Sequence, residues 1–94
     1  MYYGLIEWDG YRTPTIIIGT TYEAVERTAV QVIKDVCGDR ILYDGVVPHN
    51  FLDDNPYPNL NNAEAVADWL YTLRDVTTVP YFTLLNGDEI VEAK

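Results

Sequence analysis

The chain has 94 residues and carries 15 acidic against 6 basic side chains, which gives a formal net charge of −9. This length suits one core, so we expect residues 1–94 to form a single acidic globular domain. The apolar content of 48% excludes a disordered tail, and no apolar run is long enough to span a bilayer. The negative charge disfavours direct binding to nucleic acid or to an anionic membrane, so we expect neither as a partner.

Few side chains in the sequence can perform covalent chemistry. There is no serine, and Cys37 and His49 are the single residues of their types. Serine triads, internal disulfides and zinc sites built from several His and Cys ligands are therefore excluded. The lone cysteine and the lack of a signal-peptide pattern favour a cytoplasmic location. We predict a protein that is not an enzyme and uses no cofactor and no metal.

The first part of the chain is typical of a β-hairpin followed by a helix. Asp9-Gly10 separates the apolar and aromatic runs Tyr2–Trp8 and Tyr11–Gly19, a strong signal for a hairpin turn. The continuous β-branched run Ile16–Ile18 predicts a strand that is covered on both faces.

The first helix is predicted to run from a capping box to Cys37, with Thr20 as its N-cap and Glu23 reaching back. Gly38 is the expected terminator. Val30 is predicted to lie on the exposed polar face. The predicted buried stripe consists of Tyr22, Val25, Ala29, Val32, Ile33 and Val36.

The second part of the chain contains a short strand, a helix and a second hairpin. A short strand is predicted at Ile41–Tyr43, followed by a turn at Asp44-Gly45 and then Val46-Val47. The predicted helix runs from Ala63 to about Asp75 and is capped by Asn61 or Asn62. It is followed by a strand at Thr77–Leu85, a turn at Asn86-Gly87 and a last strand at Asp88–Ala93. The predicted buried stripe of this helix is Val66, Trp69, Leu70 and Leu73. The order ββα-β-αββ predicts an α+β fold with an antiparallel or mixed sheet of four to five strands and two helices on one face.

Pro48–Asn62 is an irregular segment rich in proline and asparagine. A loop of this length in a small domain is usually functional or packed against the core. Its apolar and acidic side chains make it either a partner-binding surface or a missing wall of the core, and the sequence leaves both open. The candidate partner-binding residues in the loop are Phe51, Leu52, Asp53, Asp54 and Tyr57.

The predicted second helix carries Glu64, Asp68 and Asp75 on its outer face, with no lysine or arginine between Ile41 and Leu73. These three carboxylates complete the candidate partner-binding set, and they favour a protein partner with a basic patch. The distance along the helix axis between residues four apart is similar to the distance between phosphates along a DNA strand. A DNA mimic that inhibits a nucleic-acid-binding protein is therefore an alternative. A third alternative is a small enzyme that uses His49 or Cys37.

Gly4–Thr13, which contains the Trp-Asp-Gly turn and precedes a capped helix, resembles the start of small uncharacterised accessory proteins of actinobacteria and their phages. The resemblance covers only this first part of the chain and carries over no functional residues. It implies a cytoplasmic, phage-derived accessory protein that binds a host protein. A homodimer formed by strand pairing across a two-fold axis is a further expectation that the sequence leaves open.

Overall fold

The computed structural model describes residues 1–10, 12–42, 49–76 and 79–93. In these ranges the elements are β1 (Tyr2–Glu7), β2 (Thr15–Gly19), α1 (Tyr22–Cys37), α2 (Phe51–Asp54), α3 (Ala63–Val76), β3 (Tyr81–Asn86) and a 3₁₀ turn (Gly87–Glu89). The predicted α+β class is confirmed. Within the described ranges the sheet is antiparallel with the order β2-β1-β3, so the prediction of four to five strands and two helices is wrong there.

The first hairpin is present, but its connection is longer than the sequence predicts. The register runs from Tyr2 opposite Gly19 to Ile6 opposite Thr15, so the ladder ends before Asp9-Gly10 is reached. Pro14 directly precedes the first paired residue of β2, and it has no N–H to extend the ladder. The two-residue turn is therefore replaced by a wider connection between the strands.

In the described ranges, the helices cover one face of the sheet. Ile17 is buried against them, whereas Ile16 and Ile18 on the opposite face are 69% and 63% exposed. The prediction that this run is covered on both faces is wrong, because α1 and α3 both pack on the face that carries Ile6 and Phe82. β2 is an outer strand of the sheet in the described ranges, and pairing of two copies there stays a prediction.

Helix α1 begins one residue later than the predicted cap implies. The Thr21 side chain accepts a hydrogen bond from the Ala24 amide at 3.2 Å, so Thr21 and not Thr20 is the N-cap. Thr20 lies in the bend that connects the end of β2 to the helix. Gly38, with φ of 65°, follows the helix as predicted, and its N–H donates to the Lys34 carbonyl.

The buried face of α1 is rotated from the predicted stripe. Val30, which the sequence places on the exposed face, is fully buried, while Tyr22 and Val36 are 47% and 39% exposed. The cause is that α1 packs against both the sheet and α3, which buries a second side of the helix. The buried residues of α1 are Val25, Ala29, Val30 and Ile33.

Helix α3 agrees with the prediction in its bounds and its buried face. Asn62 is the cap, since its side-chain oxygen accepts a hydrogen bond from the Ala65 amide at 3.1 Å. The buried residues are the predicted set of Val66, Trp69, Leu70 and Leu73.

The segment that precedes α3 forms a wall of the core. Asn50 caps the short helix α2 by accepting a hydrogen bond from the Leu52 amide. The ring of Phe51 packs edge-on against Trp69 at 5.6 Å, and Tyr57 lies 5.3 Å from the same indole. The Trp69 indole N–H donates to the Asn55 carbonyl at 2.9 Å. Between residues 49 and 62 the packing therefore supports the core-wall alternative.

The chain after β3 does not return as a strand. Asn86 caps the 3₁₀ turn, where its side chain accepts from the Asp88 amide and the Glu89 carboxylate accepts from the Asn86 amide. The predicted hairpin at Asn86-Gly87 and the predicted strand Asp88–Ala93 are wrong, because the turn closes on itself and residues 90–93 have no ladder partner in the described ranges.

The predicted short strand after α1 is described only in part. Leu42 forms an isolated antiparallel bridge with Asn50. Residues 43–48, including the rest of the predicted strand, its turn and Pro48, lie outside the described ranges, as does the start of the predicted strand at 77–78.

Candidate functional site

An acidic stripe runs along the exposed side of α3. Glu64, Asp68 and Asp75 are all exposed, and Tyr71 lies among them with 68% of its surface accessible. Spacings of four, three and four residues keep these side chains on one side of a helix over about 16 Å. Within the described ranges no cation lies at ion-pair distance from the three carboxylates. The acidic stripe therefore presents uncompensated negative charge around an exposed aromatic ring.

A groove of about 350 Å³ lies beside the acidic stripe, where α3 meets α1 and β3. Its apolar lining comes from Ala67, Leu70, Phe82 and Leu84. Its polar lining, which includes two members of the stripe, is Glu26, Asp68, Tyr71 and Arg74. We call this feature the α3 groove. It joins an apolar lining to carboxylates of both long helices.

Glu26 is held in the α3 groove under conditions that oppose its ionisation. Partial burial, and secondarily the charge of Glu23, raise the pKa of the Glu26 carboxyl. A cation that entered the groove would offset both effects and favour the ionised carboxylate.

Arg74 is held toward the sheet side of the groove. Its Nε donates to the Tyr81 hydroxyl at 3.1 Å, and its guanidinium carbon lies 5.6 Å from the centre of that ring. Arg74 is thus oriented by Tyr81, and the stripe carboxylates remain available.

The predicted loop residues do not all lie at one surface. Phe51 is fully buried in the core and is not accessible to a partner in this fold. Leu52, Asp53 and Tyr57 line a separate concavity of about 530 Å³ against the end of α1. Asp54 is exposed and lies 2.8 Å from a nitrogen of His49.

Tyr57 is fixed in that concavity by both ends of its side chain. Its hydroxyl donates to the Gly38 carbonyl at 2.7 Å, and Lys34 Nζ lies 5.7 Å from the ring centre. Burial, and then the nearby Cys37 and Asp39, raise the pKa of Tyr57 to about 12. These contacts join the loop to α1 and leave part of the ring exposed.

His49 and Cys37, the residues of the enzyme alternative, line different concavities. His49 faces the space beside Asn50 and Asp53. Cys37 lines a concavity with Trp8 and Arg12, and burial raises the pKa of its thiol, with Arg12 acting in the opposite direction. Among the described residues no group of three His, Cys, Asp or Glu side chains is arranged to hold a metal ion.

Comparison of the chain with protein-family models, curated proteins and solved structures finds no match, so the geometry of the site carries the functional argument. None of the helices in the described ranges is both long and apolar enough to cross a bilayer.

Sequence reasoning identified the stripe carboxylates but did not assign Tyr71, Glu26 or the β3 residues of the α3 groove to a site. Tyr71 stands three residues after Asp68 and four before Asp75, so the helical spacing alone would have placed it on the same side. Glu26 belongs to a different helix, and nothing in the local sequence indicates that α1 brings it to α3.

Proposed function

We propose that this chain is a non-enzymatic accessory protein that binds a protein partner through the acidic stripe and the α3 groove. The observation that carries the proposal is Tyr71, which is 68% exposed among unpaired carboxylates and beside an apolar groove. The N-terminal resemblance is the ground for proposing a phage origin and a host protein in the cytoplasm as the partner.

The chemistry of the groove fits a basic side chain. Lysine and arginine bury their aliphatic stems against apolar surface while the charged head stays at a polar rim. Leu84, which is partly exposed, supplies the accessible apolar surface beside the nearly buried Leu70 and Phe82. Glu26 and Asp68 supply carboxylates for the head. The partner segment therefore offers a lysine or arginine whose aliphatic part, or an adjacent apolar residue, packs in the groove.

Tyr71 supplies the anchor that the carboxylates lack. Exposed ion pairs contribute little affinity each, about 0–1 kcal/mol. Tyrosine is enriched among residues that dominate binding, because it offers a large contact area with few rotors. We therefore assign the affinity mainly to Tyr71 and the apolar lining, and the orientation of the partner to the carboxylates.

The DNA-mimic alternative is favoured by a different observation. Glu64 and Asp68 are separated by about 6 Å along the helix axis, and both are exposed. A mimic would present charge alone, so its binding would fall steeply with salt and would not need Tyr71. Substitution of Tyr71 thus separates the two functions.

Affinity capture from a bacterial lysate tests the proposal when variants are compared. The immobilised proteins are the wild type, the stripe variant Glu64→Gln/Asp68→Asn/Asp75→Asn, and Tyr71→Ala. We expect a protein that is retained on the wild type and lost from both variants.

The matched control is Glu7→Gln/Asp88→Asn/Glu92→Gln, which removes three exposed carboxylates outside α3 and has the same net charge of −6 as the stripe variant (−9 plus 3). The control should retain the partner. Equal retention on all four proteins would contradict the proposal. A partner that survives Tyr71→Ala but is displaced by duplex DNA would establish the mimic instead.

A further inference from the structure

A second concavity of about 350 Å³ lies where the end of β1 meets the end of α1 and the residues that precede β3. Its lining shares no residue with the α3 groove. The residues that matter for its chemistry are Trp8, Asp9, Arg12, Val36, Arg40 and Leu42. We call it the arginine concavity.

The local charge of this concavity is opposite to that of the whole chain. Arg12 and Arg40 are two of the six basic residues in a protein of net charge −9, and both line the same space. Asp9 is the one carboxylate among the described lining residues. Across the described part of the chain, neither guanidinium lies at ion-pair distance from a carboxylate. An anion would therefore find two uncompensated cations here.

The tryptophan of the concavity is held in place before any ligand arrives. The Trp8 indole N–H donates to the Thr15 hydroxyl at 3.0 Å. The guanidinium carbon of Arg12 lies 5.3 Å from the centre of the indole ring, a cation–π contact. Trp8 and Arg12 thus present an apolar surface and a charged group side by side, and the hydrogen-bonded Trp8 loses less side-chain entropy on binding than a free ring would.

The apolar part of the lining is exposed without a partner in the described ranges. Val36 and Leu42 are 39% and 44% exposed, although both are large apolar residues. A ligand with an apolar body would cover this surface and remove it from water. A volume of about 350 Å³ lies within the range of small-molecule sites, about 300–1,000 Å³.

We infer that the arginine concavity binds a small organic anion, with a flat apolar body against Trp8, Val36 and Leu42 and its anionic oxygens at Arg12 and Arg40. Carboxylate and phosphate oxygens both match the guanidinium donors. The site is separate from the surface assigned to the protein partner, and the inference does not depend on that assignment.

Titration of the ¹⁵N-labelled protein with simple probes tests the inference, read at the indole N–H signals of Trp8 and Trp69. The anionic probes are benzoate and phenyl phosphate, and the controls are benzyl alcohol and inorganic phosphate. We expect both anionic aromatic probes to shift the Trp8 signal in a saturable way while the buried Trp69 signal stays in place. The tighter of the two probes identifies carboxylate or phosphate as the preferred group.

The controls decide which part of the inference holds. Benzyl alcohol and inorganic phosphate should each bind at least about tenfold more weakly, since each lacks one of the two interactions. Benzyl alcohol binding as tightly as benzoate would overturn the role of the arginines. Inorganic phosphate binding as tightly as phenyl phosphate would overturn the apolar subsite, and no Trp8 shift with any probe would overturn the site.

Variants locate the effect. Arg40→Gln alone and the double variant Arg12→Gln/Arg40→Gln should weaken benzoate binding by about tenfold or more, because each lost guanidinium removes a charge-assisted hydrogen bond. Arg27→Gln, an exposed arginine of α1 outside the concavity, should leave binding unchanged. An equal loss in Arg27→Gln would show that the response is a general charge effect and would overturn the inference.

Discussion

At the scale of single residues, Gly4 allows the middle strand to approach the helix layer. A Cβ atom at Gly4 would lie 2.7 Å from a methyl carbon of Val25 and 2.9 Å from a ring carbon of Phe82. Both neighbours are buried and have little room to move. We expect Gly4→Ala to lower the free energy of unfolding by about 1–3 kcal/mol, the range of overpacking substitutions, as measured by urea denaturation.

The control for this prediction is Gly4→Ala made in a protein that already carries Val25→Ala. Val25→Ala removes the nearest methyl groups, so Gly4→Ala should cost less in the Val25→Ala protein than in the wild type. Strictly additive costs would show that the Val25 contact is not the cause.

The raised pKa of Glu26 predicts that the fold is less stable at neutral pH than it would be with a neutral side chain at this position. Burial and Glu23 raise the pKa of Glu26 above that of the unfolded chain, so folding costs more once the carboxyl is ionised. This cost is absent below the unfolded pKa and fully present above the folded one. Glu26→Gln should therefore raise the melting temperature at pH 7 by up to about 3 °C.

The pH dependence supplies the check on Glu26. The difference in melting temperature between Glu26→Gln and the wild type should disappear at about pH 3, where Glu26 is protonated in both the folded and the unfolded state. Glu7→Gln at an exposed position is the reference for a general charge effect. A lower melting temperature for Glu26→Gln than for the wild type at pH 7 would contradict a destabilising role of the ionised Glu26 carboxylate. The same variant should weaken partner binding, since the α3 groove loses a carboxylate.

At the scale of elements, the sequence predicts the buried face of α3 fully and that of α1 only in part. The buried stripe of α3 follows from its spacing alone, whereas Val30 and Tyr22 of α1 exchange places relative to the prediction. A periodic pattern indicates one apolar direction, but α1 has two neighbours, the sheet and α3. Which direction dominates is set by tertiary packing, and the local pattern does not contain it.

Turn chemistry shows the same limit at the end of β3. Asn86-Gly87 suits both a hairpin turn and a capped 3₁₀ turn, since asparagine accepts hydrogen bonds from amides just ahead in either case. Glu89 decides the outcome by completing the capping box with Asn86. The candidate site shows the same division. Its carboxylates on α3 follow from the spacing within one helix, whereas the residues that α1 and β3 contribute are brought there by tertiary packing.

The cap of α3 gives a direct test at the scale of elements. Asn62→Ala removes the side-chain acceptor for the Ala65 amide and should cost about 1 kcal/mol of stability. Asn61→Ala, one residue earlier, removes no such bond in the described structure and should cost little. Thermal unfolding of the two variants checks this difference. An equal loss of stability in the two variants, or a greater loss in Asn61→Ala, would contradict Asn62 as the N-cap of α3.

At the scale of the whole molecule, charge and apolar surface are divided between separate regions. The acidic stripe lies on the helix layer, and the exposed isoleucines Ile16 and Ile18 lie on the opposite face of the sheet. The arginine concavity lies elsewhere again, at the end of the sheet. If the proposed function holds, we expect a basic partner to bind at α3, where the stripe carboxylates adjoin an apolar groove, and not at the exposed carboxylates elsewhere.

The most direct test of this account is to map where a basic ligand binds. The ¹⁵N-labelled protein would be titrated with a short peptide in which arginine alternates with leucine, and amide shifts would be recorded at two salt concentrations. We predict saturable shifts centred on Tyr71 and Glu26, retained in part at higher salt and lost in Tyr71→Ala. Shifts spread over all exposed carboxylates and abolished by salt, or shifts centred on α2, would contradict the α3 groove as the binding surface.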